Sequence, residues 1–227
     1  RDLPFAGVDP ELLVGLEATR GRALELLQDG SLGLWQRLAR LLELAGRCQD
    51  AVDFGLYEEL ARCAPGPVET QAPASLQPLC AALMEACAHL EPLRPTWPTL
   101  LRRSEERLAA LEEEGYQAAR SRFEMENPEW ERHLANLACY LVFRHWNKTV
   151  NDDLLYGRAA LAGAACLLIY HLMLVRWLEG GSLTQGEEIA LWCAFSREVE
   201  HMEENLAALT QAFYDVERWP FLSAFAG

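Results

Sequence analysis

Apolar residues along this chain recur at helical spacings, and no stretch alternates apolar and polar residues as a half-buried strand would. Asp9-Pro10-Glu11 reads as an N-cap followed by proline at the first helical position. It predicts a helix to about Gln28, stopped by Asp29-Gly30. Ser31 opens a second helix, with Leu34, Leu38, Leu41 and Leu42 on one face, and a third is expected over Asp50 to Arg62. Prolines and a glycine break the pattern from Ala64 to Pro73, which reads as a loop. Ser75 begins the next helix, ending near Glu91. Pro92, Pro95 and Pro98 form a stiff connection, and a single long helix is expected from Thr99 to about Glu126. Arg102 and Glu106 are spaced on it for an i,i+4 pair.

The second half has a stronger rhythm. Asn127-Pro128-Glu129 is another cap-plus-proline start, and Trp130, Leu134, Leu137 and Leu141 then mark an amphipathic stripe. Asn151-Asp152-Asp153 opens an apolar helix, Glu179-Gly180-Gly181-Ser182 reads as a tight turn, and Thr184 with Glu187 forms a capping box. The last helix carries Trp192, Phe195, Val199, Met202, Leu206, Leu209 and Phe213, a heptad-like seam of steps of 3 and 4. These signals predict an all-α bundle of about eight helices in antiparallel or orthogonal packing. A division falls between residues 1–91 and 99–227, unless the two halves make one continuous domain.

Composition narrows the function. The 227 residues are 51% hydrophobic and 24% charged, which is globular. The net charge of -14 opposes a broad phosphate-binding surface, so no nucleic acid is expected as a partner and basic partners are favoured. The seven cysteines are widely spaced with no C-x-x-C. Cys80 and Cys87 would sit roughly 10 Å apart along one helix, too far to bridge. Buried thiols in a reducing, cytoplasmic setting are the expectation. The run from Ala159 to Val175 is uncharged and at the lower edge of spanning length, but it carries His171 inside it. A buried central helix, with no membrane, is expected. The chain opens on Arg1 without a signal-peptide pattern, as expected of a trimmed or partial chain.

The polar edge beside the terminal seam holds the most chemistry. At 100° per residue, Glu198, Asn205 and His201 fall along one flank. Glu198 and His201 also form a Glu-x-x-His pair, but a di-iron bundle needs a second one and the sequence has none. No metal site is expected. His133, Asn136, Tyr140 and Arg144 form a second polar line that could face this edge, with Arg144 placed to pair with Glu198 or Glu200. Ordinary structural ion pairing accounts for the same pattern. No P-loop, G-x-G-x-x-G, G-x-S-x-G or H-E-x-x-H motif is present.

The segment Phe195-Ser196-Arg197-Glu198-Val199-Glu200-His201, with Glu204-Asn205-Leu206, resembles the terminal S-R-x-V-E-H helix of the flagellin lysine-N-methylase family. Leu134 to Arg144, ending in Leu141-Val142-Phe143-Arg144, is similar to the family's preceding helix, with Leu137-Ala138 where a Glu-Asn is usual. Ala23 to Asp29, followed by Leu34-Trp35-Gln36-Arg37-Leu38, resembles its helix pair after a cysteine cluster. The resemblance implies methyl transfer from S-adenosylmethionine to lysines of flagellin. It also implies a metal or iron-sulfur centre in an N-terminal cysteine cluster that this chain lacks, so the chain by itself is expected to be inactive. Under this reading Glu198, Glu200 and His201 are the candidate catalytic residues, orienting or deprotonating the amine. Tyr140, Arg144, Arg197 and Asn205 bind substrate or brace the site. The alternative is a non-catalytic acidic helical interaction module, a homodimer through the last helix.

Overall fold

A computed structural model describes residues 8–67 and 76–226, and the expected start of a helix at Ser75 lies outside them. The described residues form α-helices and no strand. The helices are α1 (Pro10–Gln28), α2 (Leu34–Asp53), α3 (Tyr57–Leu60), α4 (Leu76–Ala88), α5 (Thr96–Ala109), α6 (Glu113–Glu126), α7 (Trp130–His145), α8 (Leu155–Gly180), α9 (Gln185–Phe195), α10 (Glu203–Ala212) and α11 (Phe221–Phe225). The fold is all-α, with more and shorter helices than the apolar periodicity suggests.

Several ends follow their local chemistry. The Asp9 carboxylate accepts the Glu11 N–H at 2.8 Å to start α1. Gly181, at φ +71°, closes α8 in the left-handed region, its N–H donating to Trp177 O at 2.8 Å. Thr184 and Glu187 make both bonds of the capping box at α9.

Two expectations are corrected. Asp50 does not start a helix, because α2 runs through it to Asp53 and the chain then turns at Gly55, φ +65°. Only the single turn α3 remains of the predicted third helix. The helix expected over 99–126 is two helices, joined at Ala110–Glu112. Three consecutive glutamates, Glu112 to Glu114, sit at the start of α6, where the positive end of the helix dipole favours them. On α5 the ion pair runs from Arg103 to Glu179, at 2.9 Å.

Everything is arranged around α8. Each residue from Leu155 to Val175 is buried, so this helix has no polar face. It is long and apolar enough to cross a membrane by length and composition, but all of the window that passes that test is covered by protein. Helices α2, α7, α9 and α10 pack along it, with α4, α5 and α6 completing the cover, and one hydrophobic cluster runs from α1 to α11. Its small residues permit close approach. A Cβ on Gly157 would lie 2.1 Å from the Thr210 carbonyl oxygen of α10.

The buried start of α8 is satisfied from another helix. The Gln49 side chain accepts the Tyr156 N–H at 2.9 Å and donates to Asp153 O at 2.7 Å. Arg158 is held by Asp152 and by Lys148 O. Deeper in, His171 Nδ1 donates to Leu167 O at 2.8 Å, leaving Nε2 to accept the Tyr116 hydroxyl at 2.7 Å. Burial holds His171 down at about 4 from its ordinary 6.5.

Two outcomes are expected. Gly157→Ala forces α10 away from α8 and lowers stability by about 2 kcal/mol or more, read from urea unfolding. Because the unfolded chain binds a proton at His171 below pH 6.5 and the folded chain does not until about 4, stability falls as pH drops through that window. The loss amounts to about 3 kcal/mol, and a His171→Gln variant shows a correspondingly flatter pH profile over the same range.

Candidate functional site

The polar edge of the terminal seam is a break between helices. Phe195 ends α9, and Ser196–Glu200 form one π-helical turn in which the His201 N–H donates to Ser196 O at 2.9 Å, five residues back. Met202 is extended and α10 starts at Glu203. The expected continuous helix is therefore interrupted at its acidic segment. The extra residue in the turn shifts the angular phase, and Glu198, Val199 and Glu200 are all turned inward. Seam residues Phe195, Val199, Leu206, Leu209 and Phe213 are buried within the chain itself.

Glu200 is the hub. Its Oε1 accepts the Tyr140 hydroxyl at 2.7 Å and Arg144 Nε at 2.7 Å, and Oε2 accepts Ser196 Oγ at 2.8 Å. His145 Nε2 lies 3.5 Å from Oε1. Burial by itself would raise the Glu200 pKa, but the donors His145, Tyr140 and Ser196, with Arg144, outweigh it and pull the carboxyl down to about 2. Burial also lowers the pKa of His145 against the pull of Glu200. The Tyr140 hydroxyl is raised, first by burial and then by its bond to Glu200.

Glu198 and Asn205 make a second knot. Glu198 Oε2 accepts the backbone N–H groups of Leu93 (2.7 Å) and Arg94 (3.2 Å), and Oε1 lies 3.6 Å from Arg197 Nε. Asn205 Nδ2 donates to Glu91 O and to Glu198 O, each at 2.8 Å. These bonds fasten the proline-rich connection between α4 and α5 to the break between α9 and α10.

Of the seven residues picked from the sequence, the structure joins Glu200, Tyr140 and Arg144 in one cluster and Glu198, Asn205 and Arg197 in another. His201 is exposed and stands outside both. Arg144 pairs with Glu200, one of the two partners expected for it. His133, on the same line of α7, meets Glu188 of α9 instead. Ser196, His145 and Glu188 were missed. Ser196 and His145 sit directly beside residues that were picked, and only the packing of α7 against the π turn reveals them. Among the described residues no three His, Cys, Asp or Glu side chains converge as a metal-binding group.

Residues 20–225, from the middle of α1 into α11, match the FliB lysine N-methylase C-terminal domain. The chain belongs to this family. No curated protein and no solved structure matches it. The matched span contains the π turn, both carboxylate knots and the whole of α8.

Truncating the hub tests its structural weight. Glu200→Ala leaves Arg144 and the Tyr140 and Ser196 hydroxyls without their acceptor, and stability is expected to fall by about 2–3 kcal/mol in urea unfolding. Tyr140→Phe, which removes one donor, costs about 1 kcal/mol.

Proposed function

We propose that this chain is the helical region of a cytoplasmic protein-lysine N-methyltransferase that modifies surface lysines of flagellin, using S-adenosylmethionine as methyl donor. The observation that carries this reading is the match to the FliB lysine N-methylase C-terminal domain over nearly the full length. The charge of -14 supports it, because an acidic surface draws lysine-bearing partners toward it and raises encounter rates.

The methyl donor is a sulfonium cation on an adenosine, and the larger clefts do not fit it. One of about 550 Å³ balances Arg47 and Arg62 with Asp50 and Glu59, and it leaves Phe54 and Leu56 open to solvent, so it has no enclosed apolar wall for the adenine. In one of about 460 Å³, the carboxylate Glu131 is already engaged by Arg37, and no aromatic side chain lines the cleft to hold the adenine. A third, about 430 Å³, is walled by Leu42, Tyr156, Pro220 and Leu222, and its carboxylate, Glu43, pairs with Arg47. The donor is therefore assigned to a part of the enzyme other than these clefts.

An amine attacks a methyl group only after losing its proton. Among the three residues expected to act on the amine, His201 is the one exposed to an incoming protein. Glu198 and Glu200 work as positioning residues. Glu200 holds the partly exposed Tyr140 and Arg144 at the rim, and Glu198 fixes the 91–94 connection opposite.

The complete protein, given S-adenosylmethionine and flagellin, is expected to add methyl groups to flagellin lysines, read by mass spectrometry. His201→Ala, at unchanged thermal stability, is expected to slow the reaction by about 100-fold or more, the usual scale of a lost acid-base group. No methylation by the complete folded protein overturns the function, and an unchanged rate removes His201 from the site.

A further inference from the structure

Tyr156, in the first turn of α8, is 7% exposed, and its two donors differ in what they meet. Its N–H donates to the Gln49 side chain at 2.9 Å. Its hydroxyl has no hydrogen-bond partner among the described residues, yet it is not sealed from solvent. A tyrosine buried this far ordinarily finds a partner for that group. Burial pushes the hydroxyl up to about 12, so it stays protonated and can both donate and accept. The opening that Tyr156 lines is a cleft of about 430 Å³ between α2, the start of α8 and the segment that ends in α11.

The cleft has the size and walls of a small-molecule site. Its volume lies within the ~300–1,000 Å³ usual for such sites. Leu42, Tyr156 and Ala226 form a buried floor, and Val216 and Pro67 stand exposed at the mouth. Gly46, inside α2, contributes no side chain. A Cβ there would meet only the Tyr156 ring, at 4.0 Å, so the space beside the ring is open. The opposite wall is held firmly although α11 is short. Phe221 stacks on Trp219 and on Phe225, and Phe225 stacks on Trp35, which fixes Leu222 and Ala226 between them in the chain. Glu43 is the charged residue lining the cleft, and its Oε1 is taken by Arg47 Nε at 2.8 Å. Gly66 lies against that ion pair, where a Cβ would come within 2.1 Å of Arg47 Nη2.

We propose that the cleft between α2, the start of α8 and α11 binds a small neutral molecule with an apolar body and a single hydroxyl or carbonyl group, which the Tyr156 hydroxyl meets. Apolar walls disfavour a zwitterion or a strongly hydrated ligand, because they cannot offset its desolvation. With Glu43 already paired, nothing on the walls selects a cation, and the net charge of -14 opposes an anion. One hydroxyl among apolar walls orients a ligand that has one polar group of its own. This site is independent of the methylase reading, since its ligand is neither the methyl donor nor the protein that receives the methyl group. A molecule seated there touches α2, α8 and α11 together, so it stabilises the joint at which the central helix begins.

The test uses the 227-residue chain with 2-naphthol and naphthalene as probes, the first carrying the hydroxyl that the second lacks. Binding is followed by probe fluorescence, with the melting temperature measured alongside. Saturable binding of one 2-naphthol per chain is expected, together with a melting temperature that rises with probe concentration. Tyr156→Phe should lower the ratio of 2-naphthol to naphthalene affinity by about five-fold, the scale of one neutral hydrogen bond. Gly46→Leu replaces a glycine unfavourable to the helix and puts a side chain into the cleft, so it should fold and bind neither probe. Absence of saturable 2-naphthol binding overturns the proposal, as does an unchanged affinity ratio in Tyr156→Phe or undiminished binding by a folded Gly46→Leu. Should Gly46→Leu fail to fold, the affinity ratio in Tyr156→Phe decides.

Discussion

The constraint that organises this molecule is a helix with no wet side. An amphipathic helix needs a partner on one stripe, but α8 needs protein all around it for about twenty residues, and a single layer of helices cannot supply that. The solution is a sleeve. Helices α2, α7, α9 and α10 pack against α8, α4, α5 and α6 complete the cover, and the short α11 packs mainly on α2. The many short helices are thus a consequence of covering a cylinder, since each segment must turn where the curved surface beneath it runs out. The glycines and alanines of α8 keep the core narrow, so that the covering helices approach its backbone directly.

Several polar groups that enter this core meet partners supplied by other elements. Gln49 caps α8 from α2, Tyr116 meets His171 from α6, and the Tyr170 hydroxyl donates to Glu124 at 2.6 Å. The acidic residues at the α9–α10 break follow the same rule. Each inward carboxylate there has several donors, and these come from α7, from the chain between α4 and α5, or, for Ser196, from the turn itself. A buried charge without such donors would cost several kcal/mol, so the acidic break exists only because α7 and that connection stand beside it. Fold and candidate site are in this sense one piece of chemistry.

The sequence was most legible where a rule acts within a few residues. Asp9, Thr184 with Glu187, and the Gly180-Gly181 turn are local caps, and they lie where local chemistry puts them. The apolar run of α8 announced its own burial. Legibility failed where the deciding partner is distant. Asp50 has the composition of a cap, but Gln49 beside it is committed to α8, which carries α2 onward. Glu112 to Glu114 are compatible with a helix interior or a helix start, and only the need to bend around α8 decides. The phase of the last helix was read at a constant 100° per residue. One π turn cancels that assumption, and His201 consequently left the flank shared by Glu198 and Asn205. The Glu200 and Arg144 pairing survived because it needed only that α7 lie beside the acidic segment.

The complete burial of α8 also bears on how the protein is made. Its covering helices α9, α10 and α11 lie after it in the chain, so when α8 leaves the ribosome part of its surface has no cover yet. For that interval a nascent chain displays a stretch that by length and apolarity resembles a membrane anchor. The earlier helices α2 and α7 are already synthesised and can shield part of it. The order of elements therefore sets a race between completion of the sleeve and capture of its contents by any other apolar surface in the cell.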